Sequence, residues 1–160
     1  MGMTTVSLGL IGVGTMGAAL AQNIAENGYD IALYNLDGDA VDALVDRAGP
    51  LSQHFAKADD VADLVAMMQA PRAIIMLVPA GAAVEASIDA LLPHLSPGDT
   101  IIDGGNSDFR DTQARTKRVE AAGFGYLGIG VSGGEEGARH GPAMMVGGSP
   151  DIWSGLRPVF

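Results

Sequence analysis

An apolar run that ends in glycine and opens onto a helical pattern limits this chain more than any other feature. Val6 to Val13 is apolar and partly β-branched, and Met16 to Asn27 carries Ala and Leu at helical spacing before Gly28 stops it. Between them, Gly12-Val13-Gly14-Thr15-Met16-Gly17 has the spacing G-x-G-x-x-G in the strand, turn and helix context that gives the spacing meaning. Gly12 permits the sharp turn, Gly14 lets a phosphate reach the backbone, and Gly17 lets helix and strand pack closely. The unpaired amides of the helix start then face the phosphates.

The same alternation continues along the chain. Ile31 to Tyr34 is a short apolar run, and Gly38 to Ala48 places Val41, Leu44 and Val45 on one helical stripe. Asp59-Asp60 can cap a helix running through Gln69 and closed by Pro71, after which Ala73 to Val78 has the continuous apolar character of a strand buried on both faces. Val84 to Leu92 and Asp108 to Ala122 are expected as helices, Thr100 to Asp103 and Tyr126 to Ile129 as strands, and Ser149-Pro150-Asp151 as a helix start. Strands alternating with helices predict an α/β, Rossmann-type doubly wound, mostly parallel sheet with helices on both faces. Residues 1–160 form one domain on this reading, cut short within the last helix.

With 160 residues, 48% of them hydrophobic, the chain can bury one substantial core but not two. The formal charge of −10 repels nucleic acid and anionic membrane surfaces, so neither is an expected partner. No cysteine is present, which removes disulfides and thiolate metal sites and is compatible with a cytoplasmic location. The start, Met1-Gly2-Met3-Thr4-Thr5, lacks the basic residues of a signal peptide, and Val6 stands where an N-myristoylation motif needs Ser or Thr. No metal site is expected, because His54, His94 and His140 are single and widely spaced.

The strand ends carry the remaining candidates. Asn35-Leu36-Asp37 follows the second strand, where an adenosine ribose is normally met; Asp37 can bind a ribose hydroxyl or simply cap the next helix. Val78-Pro79-Ala80 can line a nicotinamide or be an ordinary strand-ending turn. In Asp103-Gly104-Gly105-Asn106-Ser107 the Asn106 amide can hold a substrate hydroxyl or carboxylate, while Ser107 or Asp108 caps the following helix. Gly130 to Pro142 reads as a polar, glycine-rich loop in which Ser132 and the amides of Gly133 and Gly134 can cradle an anion, with Glu135, Glu136 and Arg139 in a solvated turn. Arg110, Arg115, Lys117 and Arg118 lie along one helix and are expected to form a solvated face.

With these residues in place, the chain resembles the front domain of the decarboxylating 6-phosphogluconate dehydrogenase family. The resemblance runs nearly end to end and is most specific in IIDGGNSDFRDT from Ile101 and GVSGGEEGARHGP from Gly130. Other β-hydroxyacid dehydrogenases share the fingerprint and a Ser-Gly-Gly loop without the Asp-Gly-Gly-Asn-Ser stretch. The resemblance implies cofactor contact from Gly12 to Gly17, Asn35 to Asp37, Val78 to Ala80 and Asn106. It implies contact with a small sugar-acid phosphate from Asn106, Ser132, Gly133 and Gly134. The reaction it implies is oxidative decarboxylation of 6-phosphogluconate to ribulose 5-phosphate by NAD or NADP.

Two departures bear on the cofactor. Family members that use NADP have Asn-Arg-Thr where this chain has Asn35-Leu36-Asp37, so the arginine that grips the 2′-phosphate is missing. Pro79 replaces a common lysine. The family's catalytic lysine and glutamate are expected beyond the equivalent of Phe160, in a helical second domain absent from this chain, and the full-length form is expected to be a homo-oligomer. The alternatives are another β-hydroxyacid dehydrogenase and a stand-alone dinucleotide-binding module.

Overall fold

The computed structural model describes residues 6–160, so the expectations that fall on Met1 to Thr5 lie outside the described residues. Seven strands form one sheet. In chain order the elements are β1 (Val6–Ile11), α1 (Thr15–Glu26), β2 (Ile31–Tyr34), α2 (Gly38–Arg47), β3 (Phe55–Lys57), α3 (Val61–Ala66), β4 (Met68–Met76), α4 (Ala82–Leu91), β5 (Thr100–Asp103), α5 (Phe109–Ala121), β6 (Gly125–Ser132), α6 (Gly134–His140), β7 (Ala143–Gly148) and α7 (Pro150–Leu156). The strand order is β3-β2-β1-β4-β5-β6-β7. All neighbours are parallel except β6 and β7.

Successive strand residues point to opposite faces, and the core divides accordingly. Leu8, Leu10, Ile31, Leu33, Ile75 and Ile102 pack with α1, α2 and α6 on one face. Ile11, Ile74, Met76, Ile101 and Tyr126 pack with α3, α4 and α5 on the other. Continuous apolar strands are what a sheet covered on both sides requires.

The sheet order places the topological switch between β1 and β4. Its carboxyl edge is therefore where a doubly wound sheet binds ligands.

Several boundaries differ from expectation. The helix expected through Gln69 stops at Ala66, and β4 begins at Met68 with Pro71 inside it. Regular pairing of β4 with β5 starts only at Ala73, so the missing Pro71 N–H falls before the shared ladder. The edge strands β3 and β7 lie outside the expected set, because neither shows a buried apolar run: β3 spans three residues, and β7 has no buried residue and ends in Gly147-Gly148. Of the glycine-rich loop expected from Gly130 to Pro142, Gly130 to Ser132 continue β6 and Gly134–His140 folds as α6, held on α1 by Asn23 Nδ2, which donates to the Ala138 carbonyl, and by the Arg139–Glu26 ion pair.

Candidate functional site

Four strand ends meet at the carboxyl edge, and backbone hydrogen bonds extend the ladder past the strands themselves. Gly12 N donates to Tyr34 O, Leu77 N to Ile11 O, and Gly104 N to Met76 O, at 2.8–3.0 Å. The loops after β1, β2, β4 and β5 are thus one backbone-stitched surface. The candidate positions on it are open: Gly14, Thr15, Leu36, Asp37, Pro79, Ala80, Asn106, Ser132, Gly133 and Gly134 are all exposed.

The fingerprint glycines serve different ends. A Cβ on Gly17 would collide with the Gly12 carbonyl oxygen, and one on Gly12, which has φ +100°, would collide with the Leu77 carbonyl. Both are packing positions. A Cβ on Gly14 meets nothing within 4 Å, so no protein contact demands glycine there, and the space in front of its backbone is an open cradle at the start of α1.

Asp37, Asp60 and Asp108 cap α2, α3 and α5 through side-chain oxygens. In contrast, α1 begins at Gly14 with no side-chain cap and no acidic residue in its first turn. Its first amides have no side-chain acceptor, as at the starts of α4, α6 and α7, and unlike those of α4, α6 and α7 its first turn carries no carboxylate.

Asn35 holds the adjoining corner. Its Oδ1 accepts from Val13 N at 2.9 Å and its Nδ2 donates to Asp37 O at 2.9 Å, so one amide joins the fingerprint to the end of β2. Leu36 is 94% exposed. Of the two roles open to Asp37, the structure displays the cap, with Oδ1 accepting from Asp39 N. The nearby cation, Lys57, is engaged by both oxygens of Asp42, which holds its ammonium pKa above the usual value.

On the other side of β1, Asn106 is the one described non-glycine residue with positive φ, at 55°. Its amide accepts from Val131 N at 3.0 Å and donates to Val131 O at 3.3 Å. This pair of hydrogen bonds lies beyond the last β5–β6 pair, Asp103 with Gly128, and holds Asn106 against Val131, the residue before Ser132. Asn106, Ser107 and Gly130 also border a groove of about 980 Å³ that runs along α5 to Met145 on β7. The fingerprint lies outside that groove.

Behind the Asn106 loop is a buried cluster. Arg115, expected on a solvated face, is 3% exposed and pairs with Glu85 at 2.6 Å and Asp103 at 3.3 Å. It shares its helical stripe with buried Val119, four residues on, a spacing that could have revealed its inward direction. Burial pulls the Arg115 pKa down, but the hydrogen bond and charge of Glu85, together with the charges of Tyr126 and Asp103, outweigh it and the net direction is up. Tyr126 donates to Asp103 at 2.9 Å, and burial, reinforced by that carboxylate, pushes its phenol far above the usual range. Ser107 joins this cluster, and Asp108 is the residue that caps α5.

A doubly wound sheet with an open, uncapped glycine cradle at its switch point defines a dinucleotide-binding domain. The family model for the NAD binding domain of 6-phosphogluconate dehydrogenase matches residues 7–160, and the chain belongs to that family. A decarboxylating 6-phosphogluconate dehydrogenase of Cunninghamella elegans is 45% identical over 96% of this chain and 31% of its own length. The Plasmodium falciparum 6-phosphogluconate dehydrogenase, whose structures include complexes with NADP+ and with 6-phosphogluconate, superposes with a TM-score of 0.90 at 35% identity, covering 98% of this chain and 33% of that one. A 3-hydroxyisobutyrate dehydrogenase of Mycobacterium tuberculosis, 23% identical with a TM-score of 0.84 and coverage of 98% and 51%, shares the fold. The chain spans about a third of the length of the 6-phosphogluconate dehydrogenases it matches.

Proposed function

We propose that this chain is the cofactor-binding part of a decarboxylating 6-phosphogluconate dehydrogenase, and that it favours NAD. The observation that carries the proposal is the open cradle at Gly14 above the uncapped start of α1, in a chain that matches the family from residue 7 to 160. The residues present fit a dinucleotide. Amides of Thr15, Met16 and Gly17 face the pyrophosphate, the Asn35 corner with Leu36 and Asp37 meets the adenosine ribose, and Val78, Pro79, Ala80 and Asn106 border the nicotinamide half. When bound, the nicotinamide supplies the acceptor for a hydride from carbon 3 of 6-phosphogluconate, whose oxidised form then loses carbon dioxide.

The chain's own part in that chemistry is placement. Asn106 is bonded to Val131, from which Ser132, Gly133 and Gly134 follow in the chain, and these four residues can hold a sugar acid against the nicotinamide side. The general base and acid belong to the helical remainder of the longer protein, so this chain alone binds without turnover. The longer protein is proposed to be a cytoplasmic homo-oligomer without nucleic-acid or membrane partners. Among the described residues no helix is long and apolar enough to cross a membrane.

The preference for NAD follows from charge. A 2′-phosphate at the end of β2 would meet exposed Leu36 beside Asp37 and Asp39, with Lys57 already engaged by Asp42. Calorimetric titration with NAD, NADH, NADP and NADPH at matched ionic strength tests both parts. Saturable binding, tighter for NAD than for NADP, is expected; no binding of any of the four would overturn the proposal. Leu36→Arg should improve NADP affinity relative to NAD by about tenfold, since a guanidinium can pair with the 2′-phosphate.

A further inference from the structure

Resting on the dinucleotide reading above, we propose that Arg115 is a positioning residue. Through Gly81 and Glu85 on one side and Asp103 and Ser107 on the other, it sets the two loops that border the nicotinamide half without touching the ligand itself. One buried guanidinium reaches both loops. On the β4 side it donates to the Gly81 carbonyl at 3.4 Å, directly after Pro79 and Ala80, and to Glu85 in the first turn of α4. On the β5 side it donates to Ser107 Oγ at 2.8 Å and to Asp103 Oδ2 at 3.3 Å.

Asp103 completes the hold on the second loop. Its Oδ1 accepts from Gly105 N at 3.0 Å, and its Oδ2 accepts from Ser107 Oγ at 2.8 Å and from Tyr126 OH at 2.9 Å. Asn106 lies between those two anchored residues, and it alone among the described non-glycine residues has a left-handed backbone. Such a conformation is sparsely populated and persists where its surroundings over-determine it. The anchors on Gly105 and Ser107 supply that determination, and the Asn106 amide is thereby aimed at Val131 and the Ser132 turn.

Stability alone is a poor reason for this cluster. A buried ion pair is often no better for folding than apolar residues of the same volume, because desolvation offsets the attraction. Every buried side-chain nitrogen and oxygen among the described residues has a partner, so the cluster is complete without a ligand. What it does that apolar packing cannot is join two loops directionally at the edge of the site.

The test compares two probes on this chain: NADH, which spans both halves of the site, and ADP-ribose, which lacks the nicotinamide. Ser107→Ala and Arg115→Lys should weaken NADH by about fivefold or more while ADP-ribose stays within about twofold. The triple variant Arg115→Met, Asp103→Leu and Tyr126→Phe removes both charges and the buried hydroxyl that depends on them, so it keeps folding measurable where Arg115→Met fails. It should retain cooperative unfolding and ADP-ribose affinity but lose the added affinity for NADH. Parallel losses for both probes, or none in any folded variant, would overturn the positioning role. If the unaltered chain binds neither probe, the dinucleotide reading falls and this proposal falls with it.

Discussion

Two buried aspartates bracket β5, and they are held in opposite ways. At the amino edge of the sheet, Asp99 is 0% exposed and accepts from two backbone amides, Arg72 N and Ser96 N, at 2.8 Å each, with the Arg72 guanidinium as a third partner at 2.8 Å. Its partners belong to β4 and to the turn it closes, and none is near a ligand-facing loop. At the carboxyl edge, Asp103 has one backbone amide and three side chains for partners, drawn from its own following loop, α5 and β6. The same residue type is used at one pole to lock a turn and at the other to fasten the Asn106 loop to α5 and β6, which separates holding a fold from shaping a site.

The contrast is open to experiment at both poles. The largest effect is expected at the amino edge. Asp99→Ala leaves two amides unpaired and Arg72 without its carboxylate, and should cost about 3 kcal/mol in denaturant unfolding. The relative affinities for NADH and ADP-ribose should not move; a change in their ratio would break the division between the two edges. Next comes a pair within the fingerprint. Gly17→Ala forces a side chain against the Gly12 carbonyl and should cost about 1–3 kcal/mol of stability. Gly14→Ala meets no protein atom, so it should leave unfolding within about 1 kcal/mol of the parent while abolishing measurable dinucleotide binding in the same titration.

The smallest effect concerns α6. The hydrogen bond and charge of Arg139 lower the pKa of Glu26 from its ordinary 4.5. A depressed carboxylate contributes stability above its unfolded value and loses it as pH falls through the folded value, so the hold of α6 on α1 should loosen in acid below about pH 4.5. Amide exchange across Gly134–His140, followed against pH, should show that loosening in the parent chain and not in Arg139→Ala.

How legible each part was depends on where its cause resides. The fingerprint and the buried strands were readable because glycine spacing and continuous apolar runs report backbone geometry directly. The helix α6 was hidden, since Gly134, Gly137 and the flanking Gly133 and Gly141 oppose helix formation and only its seat on α1 overrides them. Arg115 was misplaced for a related reason: a guanidinium was assigned to water by type, although its partners Glu85 and Asp103 lie 30 and 12 residues away in sequence. The candidate site residues named from sequence all lie at the carboxyl edge, but the cluster beneath them arises from side chains that meet only after folding.

The amide of Asn106 has one more consequence. By accepting from Val131 N and donating to Val131 O, a side chain does the work of an extra strand residue where β5 has already ended. The protection of the Val131 amide proton from solvent exchange is therefore a property of a rotamer and not of the sheet, and it makes that single proton a native gauge of the loop, readable without a ligand, a label or a change of sequence.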